Sequence, residues 1–450
     1  VPGELRNRIS ELMPRAKSDL AELVAFESVA DPAVAPPEQC EAAAQWVVKA
    51  FNEVGVPGVA AHETSDGSKV VLGEIPAPDG APTVLLYSHY DVQPSFDPAS
   101  WTSPPFELTE RDGRWYGRGT ADCKGNTIAT LLALRALGVD QGAQLPVGVK
   151  IVVEGSEEQG TGGLDNFVEA NPELFRADAI AILDSGNFTL GQPTLTTTLR
   201  GIANVIVNVS TMAGAQHSGV YGGAAPDALG ALIKMLAGLT SEDGDTTIAG
   251  LDSSQRWDGV DYSAEQFAKD AGVLDGVGLA GTGAPAEMVW ARPAVSVLGI
   301  DAPSVDGAVN AISPTARAKV SVRVPPGITG ERAVTALTKQ LEASAPWNAK
   351  VEITREAVAD PFTGATSGPA FDAMASALAV AYGQSTTTMG QGGSIPLCNL
   401  LADEFPEAEI MLLGIEEPLC QIHAPDESVD PTEIENIALA TALFVRDYAG

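Results

Sequence analysis

"VGVKIVVEGSEEQGTGG", residues 147–163, decides the fold. Its first nine residues are a largely apolar, β-branched run, the mark of a strand buried on both faces. Two adjacent glutamates, Glu157 and Glu158, follow the run, and glycines come directly after. Like charges side by side at the end of a buried strand repel one another unless a cation answers them.

Outward from this stretch, helix and strand signals alternate. "KVVLGEI" (69–75) and "PTVLLYSH" (82–89) read as strands, and "GNTIATLLALRAL" (125–137) as a buried helix. Residues 4–26 and 38–54 show helical periodicity. "NFVEANPELF" is a short helix, and "AIAILDSG" (179–186) is another buried strand, ended by Asp184. Continuous apolar strands separated by helices define an α/β class, with a largely parallel sheet flanked by helices.

From about residue 200 the pattern changes. "GIANVIVNVS" alternates, as a half-exposed strand does. A helix fits 226–239, strands fit 294–300 and 315–324, a second helix fits 329–343 and a last strand fits 349–355. That order, βαββαβ, is the ferredoxin-like split motif. Residues 241–290 are polar and Gly-rich and read as an insertion within it. After 365 the first pattern resumes. The expected organisation is therefore a larger domain of residues 1–199 and 360–450, interrupted by a smaller domain of residues 200–359.

Composition bounds the partners. A chain of 450 residues is long enough for two cores. Its formal charge of −33 repels nucleic acid and anionic membranes, so neither is expected as a partner. No apolar run reaches the roughly 18–20 residues of a membrane span. The start, "VPGELRNRIS", has no apolar core of a signal peptide, and an upstream segment removed before it is left open. The cysteines, Cys40, Cys123, Cys398 and Cys420, are irregularly spaced and read as reduced thiols of a cytoplasmic protein. Cys420 and His423 form a C-x-x-H, but no second such pair completes a thiolate zinc site.

The titratable residues gather at strand ends. His89 ends its strand, and if that strand continues, Asp91 lies on the same face and can orient the imidazole; a surface His–Asp pair is the plain alternative. Asp122 sits in the Gly-rich loop "YGRGTADCKGN", which fits neither phosphate-loop spacing. An aspartate there is otherwise a helix N-cap. Ligands of open parallel sheets bind beyond the carboxyl ends of the strands, so His89, Asp122, Glu157, Glu158 and Asp184 are expected on one rim. Two divalent metals would resolve the repulsion among these carboxylates, with one of the two glutamates binding metal and the other free as a base.

"SHYDVQP", "GRGTADCKG", "EGSEEQGTGG", "LDSG", "QHSGVYGG", "GGSIP" and "IHAPDE" occur in that order. Together they resemble the co-catalytic di-zinc metallopeptidases that include carnosinases, cytosolic non-specific dipeptidases, aminoacylases, succinyl-diaminopimelate desuccinylases and glutamate carboxypeptidase. The resemblance spans about residues 10–445, and "HSGVYGG" and "GGSIP" look most like the dipeptidase branch. It implies that Asp122 bridges two metals, that His89 and Asp184 complete one site and that Glu158 and His423 complete the other. Asp91 would orient His89, and Glu157 would be the general base. A cis peptide would follow Asp122. The smaller domain would be a lid and dimerisation domain, and His217 would act at the active site of the other subunit. Asn310, Arg323, Gly393 and Ser394 would contact substrate, with Arg323 on its carboxylate. Cys123 and the pair Gly390–Gln391 depart from residues common in the family; His62 matches no family role and reads as surface.

The implied activity is that of a metal-dependent dipeptidase acting on short peptides with a free carboxyl end, through a water bridging two divalent metals. Zinc suits the ligands, and manganese or cobalt would fit the same set. An N-acyl-amino-acid deacylase or desuccinylase with the same chemistry is the second reading. An inactive binding or scaffold relative is the third. The implied partners are a small substrate and a second copy of the chain.

Overall fold

The apolar run becomes the strand Gly148–Glu154, buried at every residue. It lies parallel to Thr83–His89, which lies parallel to Ala179–Leu183, which in turn lies parallel to Glu409–Leu413. Lys69–Ile75 and then Ala60–Glu63 extend one side of this quartet antiparallel, and Thr194–Leu199 flanks the other. The computed structural model describes residues 2–393 and 395–448.

Parallel neighbours need long crossovers. The first contains the helix Lys124–Ala136, which is buried at every position and so carries no polar stripe. Pro2–Val24 and Pro431–Asp447 pack against it, and Pro369–Tyr382 packs against Pro431–Asp447. Leu131, Leu132 and Leu134 are fully buried. Truncating one such leucine to alanine costs about 2–5 kcal/mol.

Contacts divide the chain into Val1–Thr197 with Gly364–Met389 and Leu400–Gly450, and a smaller unit of Thr198–Thr363 with Gly390–Asn399. The grouping of Gly390–Asn399 differs from the sequence expectation. Its physical reason is close packing: a Cβ at Gly390 would meet the Trp290 side chain and Thr198 Oγ1, and Asn399 Nδ2 donates to the Asp360 carbonyl.

The smaller unit holds a four-stranded antiparallel sheet in the order Ala294–Asp301, Thr315–Val324, Gly201–Ser210, Lys350–Ala359. Helices Ala228–Ala237 and Gly330–Ala343 pack against it. Their starts are set by Asp227 and Thr329, whose side chains accept the N–H groups of Leu229 and Arg332. Val205, Val207, Val320, Val322, Leu232 and Leu337 form the core between sheet and helices. The segment 241–290 adds the short helix Ala264–Asp270 outside the split motif. No helix among the described residues is long and apolar enough to cross a membrane.

Candidate metal centre

Every candidate on the larger unit lies past the carboxyl end of a parallel strand or on a loop beside those ends. His89 is the last residue of its strand, and Asp184 follows Leu183 directly. Glu157 and Glu158 begin a single 3-10 turn closed by Gly160 at φ 56°. Asp122 stands before the buried helix, whose N-cap residue is Cys123. The Asp122–Cys123 peptide is cis.

His89 is fully buried. Its Nδ1 lies 3.0 Å from the Asp91 main-chain oxygen and 3.3 Å from Asp91 Oδ1. The strand stops at His89 rather than running on, so Asp91 reaches the ring from the irregular segment that follows and not along a shared strand face. The Asp91 carboxylate also accepts the N–H groups of Glu157 and Glu158, at 3.1 and 3.0 Å. One side chain thus ties the imidazole to the turn that carries both glutamates.

The other ring nitrogen, Nε2, faces Asp122 Oδ1 and Asp184 Oδ1, each at 3.1 Å. A single N–H cannot point squarely at both, and a neutral nitrogen lone pair has nothing to accept from ionised carboxylates. A cation among the three atoms removes the conflict. Asp122 turns its second oxygen the other way, 2.9 Å from His423 Nε2, and Glu158 Oε2 lies 3.2 Å from that same nitrogen. Gln93 Nε2 donates to Glu158 Oε2 at 2.8 Å, while Glu158 Oε1 is buried with no partner among the described residues. A buried carboxylate oxygen without a donor is costly unless a cation meets it. The imidazole and carboxylate donors therefore suit two divalent ions that share Asp122.

The titration behaviour has the same origin. Burial drives the Glu157 carboxyl well above the usual range, and Asp184, Glu158 and Asp122 add to it. Burial and then the Asp122 charge push Glu158 up to about 7. Burial acts on Asp122 as well, but hydrogen bonds from His423 and His89 outweigh it and hold this carboxyl well below its ordinary value. Hydrogen bonds to Asp122 and Glu158 raise His423 to about 11. Burial opposes protonation of His89, yet the groups around it, Cys123, Asp184 and Asp122, raise it far above its usual value. Positive charge is in demand at every one of these positions.

Two glutamates without an assigned role in the sequence belong here. Glu416 is buried, with a carboxylate oxygen within 4.8 Å of those of Asp122 and Asp184. Its signal is legible in retrospect: "LLGIEE" repeats the layout of "VVEGSEE", an apolar strand, a glycine, one spacer and two glutamates. Glu427, inside "IHAPDE", accepts the N–H groups of Gly119, Ala121 and Asp122 at 3.0–3.1 Å and pairs with Arg118 at 2.7 Å. It shapes the loop that presents Asp122.

The remaining candidates lie on the smaller unit. His217 and Asn310 are neighbours: His217 pairs with Ala311 across a two-stranded ribbon, and the Ser218 N–H donates to the Asn310 carbonyl at 2.9 Å. His217 is exposed, and its Nδ1 accepts the Gly219 N–H. Arg323 is half-buried on Thr315–Val324, and Gly393 follows the strand Thr387–Gln391. Ser394 lies outside the described residues. Cys420 Sγ donates to Glu417 Oε1 at 3.4 Å.

A family profile, peptidase family M20/M25/M40, matches residues 85–447. The cysteinylglycine-S-conjugate dipeptidase of Corynebacterium striatum is 48% identical over 412 residues, covering 91% of this chain and 90% of that one. Among solved structures, the di-peptidase Dug1p of Saccharomyces cerevisiae superposes with a TM-score of 0.80 at 22% identity, covering 100% of this chain and 98% of that chain. Human carnosine dipeptidase 1 gives a TM-score of 0.80 at 23% identity, covering 99% and 98%. These likenesses share the mixed α/β fold with its largely parallel central sheet.

Proposed function

This chain belongs to peptidase family M20/M25/M40, and from that premise we propose that it is a metal-dependent dipeptidase. The observation that carries the reading is Asp122, with one oxygen toward His89 and the other toward His423. The 48% identity to a cysteinylglycine-S-conjugate dipeptidase supports a dipeptide substrate.

In this reading His89, Asp122 and Asp184 hold one ion, and Asp122, Glu158 and His423 hold the other. Zinc suits these donors. Two divalent ions bound there supply Lewis-acid polarisation of the scissile carbonyl and acidify water. Glu157 takes the proton from the attacking water and delivers it to the leaving amine. Its demand for a proton, set by burial and by its carboxylate neighbours, supports that role. Asp91 keeps the His89 proton on Nδ1 and leaves Nε2 for the metal. Arg323 receives the substrate carboxylate, while Asn310, Gly393 and Ser394 complete the substrate pocket. His217 acts in trans from the smaller unit of a second copy, a dimer near twice 46.4 kDa. The smaller unit in this reading is both lid and dimerisation domain. The four thiols suit a reducing compartment such as the cytoplasm.

The test is amine release by the metal-reconstituted protein on matched substrates, with Glu157→Gln as the blank. One half of the panel is dipeptides, and the other half is the same residues N-acetylated or N-succinylated. Faster cleavage of the free-amine dipeptides is expected. Faster cleavage of the acylated set would make the protein a deacylase with the same ligands.

A further inference from the structure

Arg200 lies in the smaller unit, nine-tenths buried at 9% exposure. Its Nε and Nη1 have no hydrogen-bond partner among the described residues. Burial first, and then the charge of a second arginine, Arg323, lower Arg200 to about 10. Arg323 is half-buried, and burial alone lowers it. The chain has 59 carboxylate residues against 26 Lys and Arg, yet none of them answers this pair among the described residues.

The ladder explains how the two meet. Arg323 pairs with Ile202 across neighbouring strands, so Arg200 falls two residues along from its partner, a diagonal that long side chains span. The main chain then fixes Arg200 against a glycine-rich turn. The Arg200 N–H donates to the Gln391 carbonyl at 3.0 Å. A Cβ on Gly392 would stand 3.0 Å from Arg200 Nη2, and a Cβ on Gly390 would stand 2.7 Å from Thr198 Oγ1, another buried atom without a partner. Gly390 and Gly392 thus place no side chain against these atoms.

Two adjacent guanidiniums, one of them buried, are unfavourable unless an anion joins them. Their planar forks match a carboxylate in two-point geometry. We propose that Arg200 is a second substrate-binding arginine, which with Arg323 forms a paired-guanidinium site for the substrate's terminal carboxylate. Arg200 thereby sets the requirement for a free C-terminus. This rests on the dipeptidase reading for the identity of the substrate, and on the unpartnered donors alone for its being a carboxylate.

The experiment compares alanylglycine with alanylglycinamide, and N-acetylglycine with its amide, in steady-state hydrolysis by the metal-loaded full chain. In wild type the acid is preferred over the amide. In Arg200→Ala, KM for the acid rises about 30- to 100-fold, kcat changes less than about threefold, and the amide is cleaved as before. Arg200→Lys recovers part of the loss. Arg200→Met, which removes a buried unpartnered charge, has a substrate-free thermal midpoint no lower than wild type. An unchanged acid-to-amide ratio in Arg200→Ala would overturn the proposal. So would a lower midpoint in Arg200→Met, or a fall in kcat with KM intact, because either marks a structural role. If only the acylated pair is cleaved, the dipeptidase reading falls, while the collapse of acid preference on that pair still upholds Arg200.

Discussion

The rim of the larger unit and the arginine pair of the smaller one are opposite solutions to the same electrostatic problem. On the rim, Asp122, Glu157, Glu158, Asp184 and Glu416 crowd around two histidines, and the bare Oε1 of Glu158 marks the shortage of positive charge. In the smaller unit, Arg200 and Arg323 share one sign on a ladder diagonal, and the Nε and Nη1 of Arg200, without a partner among the described residues, mark a shortage of negative charge. Interiors ordinarily pair buried charges, as Arg118 pairs with Glu427 in this chain. One-sign clusters are therefore informative: what is missing from each has the opposite charge and comes from outside the chain. In the readings proposed above, divalent cations answer the rim and the substrate's carboxylate answers the arginines.

The largest effects should come from the rim. Glu157→Gln keeps the shape of the side chain and removes the base. We expect kcat to fall by at least about 10²–10⁴-fold with two ions per chain still bound, measured by amine release and by elemental analysis of the same sample. Retained turnover would take the proton-transfer role away from Glu157. Asp122→Asn acts on the cluster itself, because Asp122 faces both His89 and His423. Both ions should be lost together on dialysis. Their return to wild type stabilises the fold by about 4 kcal/mol at a thousandfold excess over Kd, read as a shift in denaturation midpoint. Loss of one ion alone would show that the two sites are independent and that Asp122 is not shared.

Asp91→Asn should have a smaller effect of the same sign. Asp91 touches no metal-facing nitrogen; it holds Nδ1 of His89 and the N–H groups of Glu157 and Glu158. Removing its charge loosens ring and turn together, and the expected loss is about 10- to 100-fold in metal affinity. Competition with a chromophoric chelator measures it. An unchanged affinity would mean that the Asp91 main-chain oxygen, closer to Nδ1 at 3.0 Å, is sufficient.

Much of the rim was legible in the chain because apolar β-branched runs end where ligands begin. "VVEGSEE" and "AIAILD" each show a buried strand stopping at carboxylates, and parallel strands place such stops on one edge. The split motif of the smaller unit was legible for a similar reason, since its strands alternate and its helices keep their period. What stayed hidden depends on three-dimensional clearance. Glu427 works through main-chain N–H groups, which leave no side-chain pattern. Asp91 reaches His89 from an irregular segment, whereas strand periodicity, had the strand continued, suggested a shared face. Gly390–Asn399 joins the smaller unit because bare glycines let Trp290 and Arg200 approach. Arg200 is marked by the absence of a partner, and no linear pattern records an absence.

A third buried charge separates crowding from burial itself. Glu433 is fully buried and, among the described residues, belongs to none of the candidate ligand groups, with Glu417 as a minor like charge; Asn187 Nδ2, the Tyr382 hydroxyl and the Gly191 N–H all donate to it at 2.5–2.7 Å. Burial nevertheless pushes it up to about 7, the hydrogen bonds opposing without prevailing. Its carboxyl in the unfolded chain titrates near ~4.3. Between these values the folded chain holds the extra proton. Stability from this group is therefore fully present below ~4.3 and is lost as pH rises through about 7. Glu433→Gln keeps an acceptor and removes the titration. The difference in unfolding free energy between wild type and variant should drift by on the order of 3–4 kcal/mol across that window and stay level above it, measured by urea denaturation at several pH values. Because both proteins share the rim, its titrations cancel in the difference. A difference independent of pH would mean that three donors suffice to keep a buried carboxylate ionised. The elevated Glu157 and Glu158 would then owe their shifts to crowding by Asp122 and Asp184 more than to burial, and a cation on the rim would lower both.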